Sequence, residues 1–111
     1  MYMYEILIPT VMNGHPVRTK HHKQWDKFVR KLTTGLTILK PAKGQWVDES
    51  TDTLHEERMI PVKIACTAHQ LKMIINFTLS HYNQIAVLAY KVSDEVYLYR
   101  QTPRGIQRDI A

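Results

Sequence analysis

"LHEERMIPVKIACTAHQLKMIINFTLSHYN", residues 54 to 83, decides the fold because the spacing of its apolar residues changes at Cys66. Before that cysteine, apolar and other residues alternate as in a half-buried strand, and the apolar set is Ile60, Val62, Ile64 and Cys66. After it, apolar residues recur every three or four positions as in an amphipathic helix, and the stripe is Leu71, Ile74, Ile75, Thr78 and Tyr82. The stretch therefore predicts a strand over 54–66 followed directly by a helix over 67–83.

The flanking segments extend this pattern on both sides. Residues 19–35 predict a second amphipathic helix, while residues 2–9, 36–39 and 84–92 predict strands. The resulting order of strand, helix, strand, strand, helix, strand is that of the ferredoxin-like α+β plait. We expect an antiparallel sheet with two helices on one face, and a bulge or unpaired edge at Pro61.

Length and composition indicate one domain with a short extension. The chain has 111 residues, so we expect a single ferredoxin-like domain over residues 1–100. Residues 101–111 contain Pro and Gly and few apolar residues, which predicts a mobile C-terminal tail. Because two helices cover only one face of the sheet, we expect a dimer or trimer to cover the other.

The charge distribution is uneven around a net charge of +5. Residues 18–43 carry most of the basic side chains, and residues 44–57 carry a cluster of acidic ones. A basic segment of this kind binds a polyanion or is simply the solvated face of a helix. The sequence contains no apolar run of about 20 residues and no signal-peptide pattern, so we expect a cytoplasmic protein without a membrane partner.

Histidine and cysteine spacing predicts no metal site and no cofactor. His55-Glu56-Glu57-Arg58-Met59 has methionine where a zinc hydrolase helix needs its second histidine. The six histidines are not spaced as ligands, and Cys66 lies on the apolar face of its strand. No phosphate-binding glycine loop and no nucleophile elbow accompany them.

The candidate ligand-binding residues are Trp46, Glu56 and Glu57. The glutamates are neighbours in a strand, so their side chains point to opposite faces of the sheet. Trp46 lies eleven residues before Glu57, a separation at which the two strands of a hairpin can bring residues together. An indole beside a carboxylate suits a flat ring or a positive charge. The alternatives are an ordinary ion pair with Lys63 or Arg58 and a tryptophan that closes the rim of the core.

Residues 44–92 resemble the phage S-adenosylmethionine lyases, formerly called hydrolases. The similarity is carried by "HEERMIPVKIAC", "AHQLKMIINFTLSHYN" and "IAVLAYK" in that order, although Trp46 stands where that family has tyrosine. The resemblance implies a trimer in which the substrate's own carboxylate attacks its γ-carbon, which releases methylthioadenosine and homoserine lactone. It implies Glu57 as the catalytic residue, Trp46 and Glu56 as ligand-binding residues, and no cofactor. The chain also resembles small uncharacterised ferredoxin-like proteins of phages and plasmids.

Two other functions remain open from the sequence. One is a phage protein that sequesters a nucleotide-like ligand between its subunits without turnover. The other is an adaptor that binds nucleic acid or protein through the basic face of residues 18–43. In each case we expect no metal, and a small nucleoside-like molecule is the favoured partner.

Overall fold

The computed structural model describes residues 1–109 of the chain. Within them, the elements in chain order are β1 (Tyr2–Pro9), β2 (Val11–Met12), β3 (His15–Pro16), α1 (Thr19–Thr33), β4 (Thr37–Ile38), β5 (Ala42–Asp48), β6 (Thr53–Cys66), α2 (Ala68–His81), β7 (Ala89–Ser93), β8 (Leu98–Thr102) and β9 (Gly105–Asp109).

The main sheet is antiparallel, and β1 lies at its centre between β6 and β7. The strands β4 and β5 both pair with β6, along different parts of its length. Together they take the place of the second strand in the predicted order, so the ferredoxin-like α+β fold is confirmed. Two further hairpins, β2–β3 and β8–β9, form separate two-stranded sheets.

The core lies between the two helices and one face of the sheet. Alternate residues of the central strands are buried there, as the period of two predicts; they are Tyr4, Ile6 and Ile8 on β1 and Val62, Ile64 and Cys66 on β6. The helices contribute Trp25, Val29 and Ile74 to the same cluster. Residues that alternate with these, such as Met3 and Leu7, point to the opposite face, which neither helix covers.

Local signals explain where the helices begin and end. Thr67 caps α2 as expected, because its hydroxyl accepts from the Gln70 amide while the Gln70 side chain accepts from the Thr67 amide. In α1 the N-cap is Arg18, whose side chain makes no capping hydrogen bond. That helix ends at Thr33, and its C-cap Thr34 is left-handed with φ of 75°.

Of the two alternatives that the sequence predicts at Pro61, a bulge and an unpaired edge, the bulge is absent. The pairing of β6 with β1 runs without a shift through Leu7 opposite Pro61. The Pro61 carbonyl accepts from the Leu39 amide on the other side of the strand, 2.9 Å away. Since the N–H and C=O of one strand residue point the same way, the missing donor faces the junction between β4 and β5. No ladder bond to β1 is lost there.

The predictions for the last quarter of the chain need correction. The strand expected over 84–92 is the shorter β7, and Ile85 before it is fully exposed. Residues 101–109 of the predicted tail belong to the hairpin β8–β9. The mobility of the tail remains a prediction. Positions 110 and 111 lie outside the described residues. The division of the chain at residue 100 remains a prediction.

Candidate functional site

The hairpin β5–β6 positions the three residues that the sequence singles out. Residues 49–52 turn the chain, and Asp48 supports that turn by accepting from the Ser50 amide and hydroxyl at 3.0 and 2.6 Å. These bonds lower the pKa of Asp48. The register that follows sets Trp46 opposite His55 and Gly44 opposite Glu57. The turn geometry thus determines which side chains share a face.

Trp46 and Glu57 lie on the same face of this hairpin, although they are not directly paired. Residues directly opposite each other share a face, so Trp46, His55 and Glu57 project together. Glu56 projects from the other face, with Gln45 opposite it. The structure therefore brings together two of the three candidate residues and separates the third from them.

Glu56 is engaged within its own hairpin. Its carboxylate accepts from the Gln45 side-chain amide at 2.6 Å and lies 3.7 Å from the Lys43 ammonium. Neither Lys63 nor Arg58, the partners considered from the sequence, takes this role. Within residues 1–109, the Glu57 carboxylate makes no hydrogen bond or ion pair, so it is available to a ligand.

His55 is the residue of this face that sequence reasoning missed. Its imidazole stacks on the Trp46 indole, with ring centroids 4.3 Å apart and planes 15° from parallel. Trp46 is 50% exposed, so it does not close the rim of the core. The turn at 49–52 is the sequence feature that predicts the contact between Trp46 and His55, because a hairpin closed there places these two residues opposite each other.

An open cleft of about 450 Å³ runs beside this hairpin. Residues 56–59 of β6, which include Glu56 and Glu57, line this cleft together with the turn at Asn13 and Gly14 and with Gln84. The side-chain oxygen of Asn13 already accepts a hydrogen bond from the side-chain amide of Asn83, at 2.8 Å. Glu57 is thus an acidic group of the cleft that has no partner among the described residues.

A single copy of the chain does not provide a complete metal centre within residues 1–109. No group of three or more His, Cys, Asp or Glu side chains converges there. On the exposed hairpin face, His55 and Glu57 are two residues apart in a strand, which separates their α-carbons by ~6.8 Å. One imidazole and one carboxylate can therefore approach the same ion, and further ligands must come from water or a second copy.

Two hairpins leave large apolar side chains exposed. In β5–β6 these are Val47 and Leu54 beside Trp46. Hairpin β8–β9 and the residue before it expose Tyr97, Leu98, Tyr99 and Ile106, the last by 76%. The radius of gyration is 16.3 Å, against roughly 13 Å for a compact domain of this length. The chain is therefore elongated, with apolar surface on its projecting parts.

The architecture is similar to those of solved CutA proteins. The divalent cation tolerance protein Cut A1 from Thermus thermophilus matches with a TM-score of 0.61 and 9% identity, over 86% of each chain. CutA from Synechococcus elongatus PCC7942 gives 0.57 and 10%, over 82% of this chain and 73% of that one. The divalent ion tolerance protein CutA1 from Ehrlichia chaffeensis gives 0.56 and 12%, over 82% and 78%. No protein-family model matches the sequence, and no curated protein matches it either.

These similarities overturn the functional predictions made from the sequence. The structural relatives are divalent-cation tolerance proteins rather than S-adenosylmethionine lyases, so the resemblance to that phage family is wrong. They do not support the nucleotide-sequestering phage protein or the nucleic-acid and protein adaptor either. Trp46 also stacks on His55 in an open hairpin, whereas the lyase interpretation needs it against an enclosed substrate. A nucleoside-like partner is therefore unsupported.

One structural finding bears on the expected location of the protein. Among the described residues, neither helix is long and apolar enough to cross a bilayer. The cytoplasmic location remains a prediction.

Proposed function

We propose that this protein self-associates and binds divalent cations, with Glu57 and His55 as ligands on the exposed face of hairpin β5–β6. The observation that carries the proposal is the shared fold over more than four-fifths of the chain with proteins named for divalent cation tolerance. At these identities the likeness is one of fold, so the chemistry must come from this chain's own residues.

The donor set suits a divalent transition-metal ion. An imidazole nitrogen and a carboxylate oxygen are ligands of Zn²⁺ and Cu²⁺, whereas Mg²⁺ prefers oxygen alone. Within residues 1–109 the side chains of His55 and Glu57 make no hydrogen bond, so neither side chain must break one to bind an ion. Stacking on Trp46 restricts the orientation of the His55 ring before an ion arrives. Trp46 thereby acts as a positioning residue.

Glu56 has a supporting role in this proposal. It lies on the opposite face of the hairpin and is held by Gln45 and Lys43. We therefore assign it to the stability of the hairpin rather than to the ligand set. Glu57 keeps the central position that the sequence predicted, as a cation ligand instead of a catalytic group.

Self-association is supported by surface that one copy leaves uncovered. The hairpin β8–β9 is a two-stranded sheet of its own, and such hairpins are marginally stable in water without a packing partner. Its tyrosines and Ile106 are exposed, and the sheet face carrying Met3 and Leu7 lacks a helix. A second copy would bury these surfaces and bring its own side chains towards the incomplete cation site.

Equilibrium dialysis against Zn²⁺ and Cu²⁺, with Mg²⁺ in parallel, tests the cation site. We expect Zn²⁺ and Cu²⁺ to bind, and Glu57→Gln to weaken both by at least about tenfold, since the charged ligand is lost. The matched control is Glu49→Gln, which removes a carboxylate from the neighbouring turn. Equal loss in both variants, or no binding by the parent protein, would contradict the assignment.

A further inference from the structure

A second, smaller cavity lies on the other side of the molecule, between α1 and the sheet. Its volume is about 130 Å³. Trp25 forms one wall, and Ile8, Ile60 and Val62 form the floor on the sheet. Ile38 of β4 borders the cavity and is 53% exposed, so the cavity reaches the surface at this edge. Nothing in the proposed cation site involves these residues.

Three polar side chains share the lining of this cavity, namely His22, Asp26 and Tyr82. The Tyr82 hydroxyl lies 2.7 Å from Nδ1 of His22, and Tyr82 is fully buried. Burial raises the pKa of Tyr82, so the phenol keeps its hydrogen at neutral pH. When the Tyr82 hydroxyl donates to Nδ1, neutral His22 carries its own hydrogen on Nε2. In this tautomer the imidazole has a second polar atom, the Nε2–H donor.

Asp26 supplies the complementary acceptor. It lies one helical turn after His22, so the two side chains are on the same side of α1. Within residues 1–109 its carboxylate has no hydrogen bond or ion pair. Burial raises the pKa of Asp26, although Arg30 and His22 act in the opposite direction. Burial is also the largest cause of the lowered pKa of His22, so both groups face a partly dehydrated space.

From this arrangement we infer that the cavity binds a small planar molecule that carries a hydrogen-bond donor and an acceptor side by side, such as a neutral azole. The acceptor would take the Nε2–H of His22, and the donor would face the Asp26 carboxylate. The apolar walls would enclose the rest of the ring. The volume of about 130 Å³ limits the ligand to one small ring, since an apolar cavity of about 150 Å³ holds a single benzene.

The test uses pyrazole, which has adjacent N–H and N atoms, and the indole N–H signals of the two tryptophans. Trp25 lines the cavity and donates through Nε1 to Thr78, whereas Trp46 lies in the β5–β6 hairpin. In a ¹⁵N-edited NMR titration we expect the Trp25 signal to move with a Kd on the order of 1 mM, because so small a ligand makes few contacts. The Trp46 signal should stay in place.

Matched ligands and variants distinguish hydrogen bonding to His22 and Asp26 from simple filling of an empty cavity. Furan has the same ring size without an N–H, and we expect it to bind at least about tenfold more weakly. Asp26→Asn should weaken pyrazole to a similar extent, and Asp94→Asn, an exposed control, should not. A Trp25 signal that does not move with pyrazole would overturn the inference. So would equal binding of furan, or a Trp25 signal that moves with protein concentration alone, which would mean that a second copy fills the cavity.

Discussion

The imidazole rings of His21 and His81 stack face to face, with their centroids 3.7 Å apart and their planes 8° from parallel. Each ring is hydrogen bonded through Nε2 to the main-chain carbonyl of the other residue, at 2.6 and 2.8 Å. Because a carbonyl oxygen only accepts, both rings must carry hydrogen on Nε2. This reciprocal pair joins the start of α1 to the end of α2.

Removing half of this pair should loosen the contact between the helices. His81→Ala deletes one stacked ring and leaves the His21 carbonyl without its donor, and it also removes the stacking of Phe77 on His81 at 4.9 Å. We expect the free energy of unfolding in urea to fall by about 1–3 kcal/mol. His69→Ala, an exposed change in the same helix, should alter it by less than about 0.5 kcal/mol. Similar losses in both variants would contradict this role.

Acidification should destabilise the protein in part through His22. Burial lowers the pKa of His22 from its usual 6.5, with His21 and His81 adding to the effect and Asp26 opposing it. The unfolded chain therefore binds more protons than the folded one as the pH falls below 6.5, so the free energy of unfolding decreases there. Urea midpoints at about pH 7.5 and 5.5 measure this directly. The decrease should be smaller in His22→Gln, and an equal decrease would rule out His22 as a source.

The hydroxyl of Thr78 stabilises a buried tryptophan. Trp25 Nε1 donates to Thr78 Oγ1 at 2.9 Å, and that hydroxyl donates to the Ile74 carbonyl at 2.6 Å. Thr78→Val keeps the shape but leaves a buried indole N–H without an acceptor, which should cost about 1–3 kcal/mol in the free energy of unfolding. Thr78→Ser retains the hydroxyl and should recover part of the loss. If the valine variant is the more stable of the two, the bond contributes little.

Cys66 should be unreactive in the folded protein. The residue is fully buried at the end of β6, and burial raises the pKa of its thiol to about 11. We expect an aromatic disulfide reagent at about pH 8 to label it at least ~100-fold more slowly than in denaturant, since the thiolate is the reacting form. Equally fast labelling with and without denaturant would show that the end of β6 opens readily.

The sequence predicts the fold well because the central elements have regular periods. Ile60, Val62 and Ile64 alternate in β6, and Leu71, Ile74 and Ile75 repeat in α2, so local pattern and final burial agree. The strand β9 escaped prediction because Ile106, its one apolar residue, is exposed and gives no contrast between two faces. Residues 84–88 were wrongly predicted as part of a strand. Their apolar run suggested a buried strand, but an apolar run need not form one.

The candidate site was only partly predictable. Alternation along one strand is enough to separate Glu56 from Glu57, and the predicted hairpin brings Trp46 to the face of Glu57. The role of His55 depends on the register of β5 against β6, which the turn at 49–52 determines. The cavity at His22 and Asp26 depends on how α1 packs over the sheet, and residue spacing in one helix does not specify a void of that size.

Sedimentation equilibrium of the purified protein, from micromolar to several hundred micromolar and with and without Zn²⁺, tests the central claim most directly. We predict a mass that is a multiple of the 13.0 kDa chain, and a shift to lower mass when Leu98 and Ile106 are both changed to Ser. The matched control is Ile85→Ser, which replaces another exposed apolar residue outside both hairpins. A mass of 13.0 kDa throughout, with or without the metal, would contradict the account.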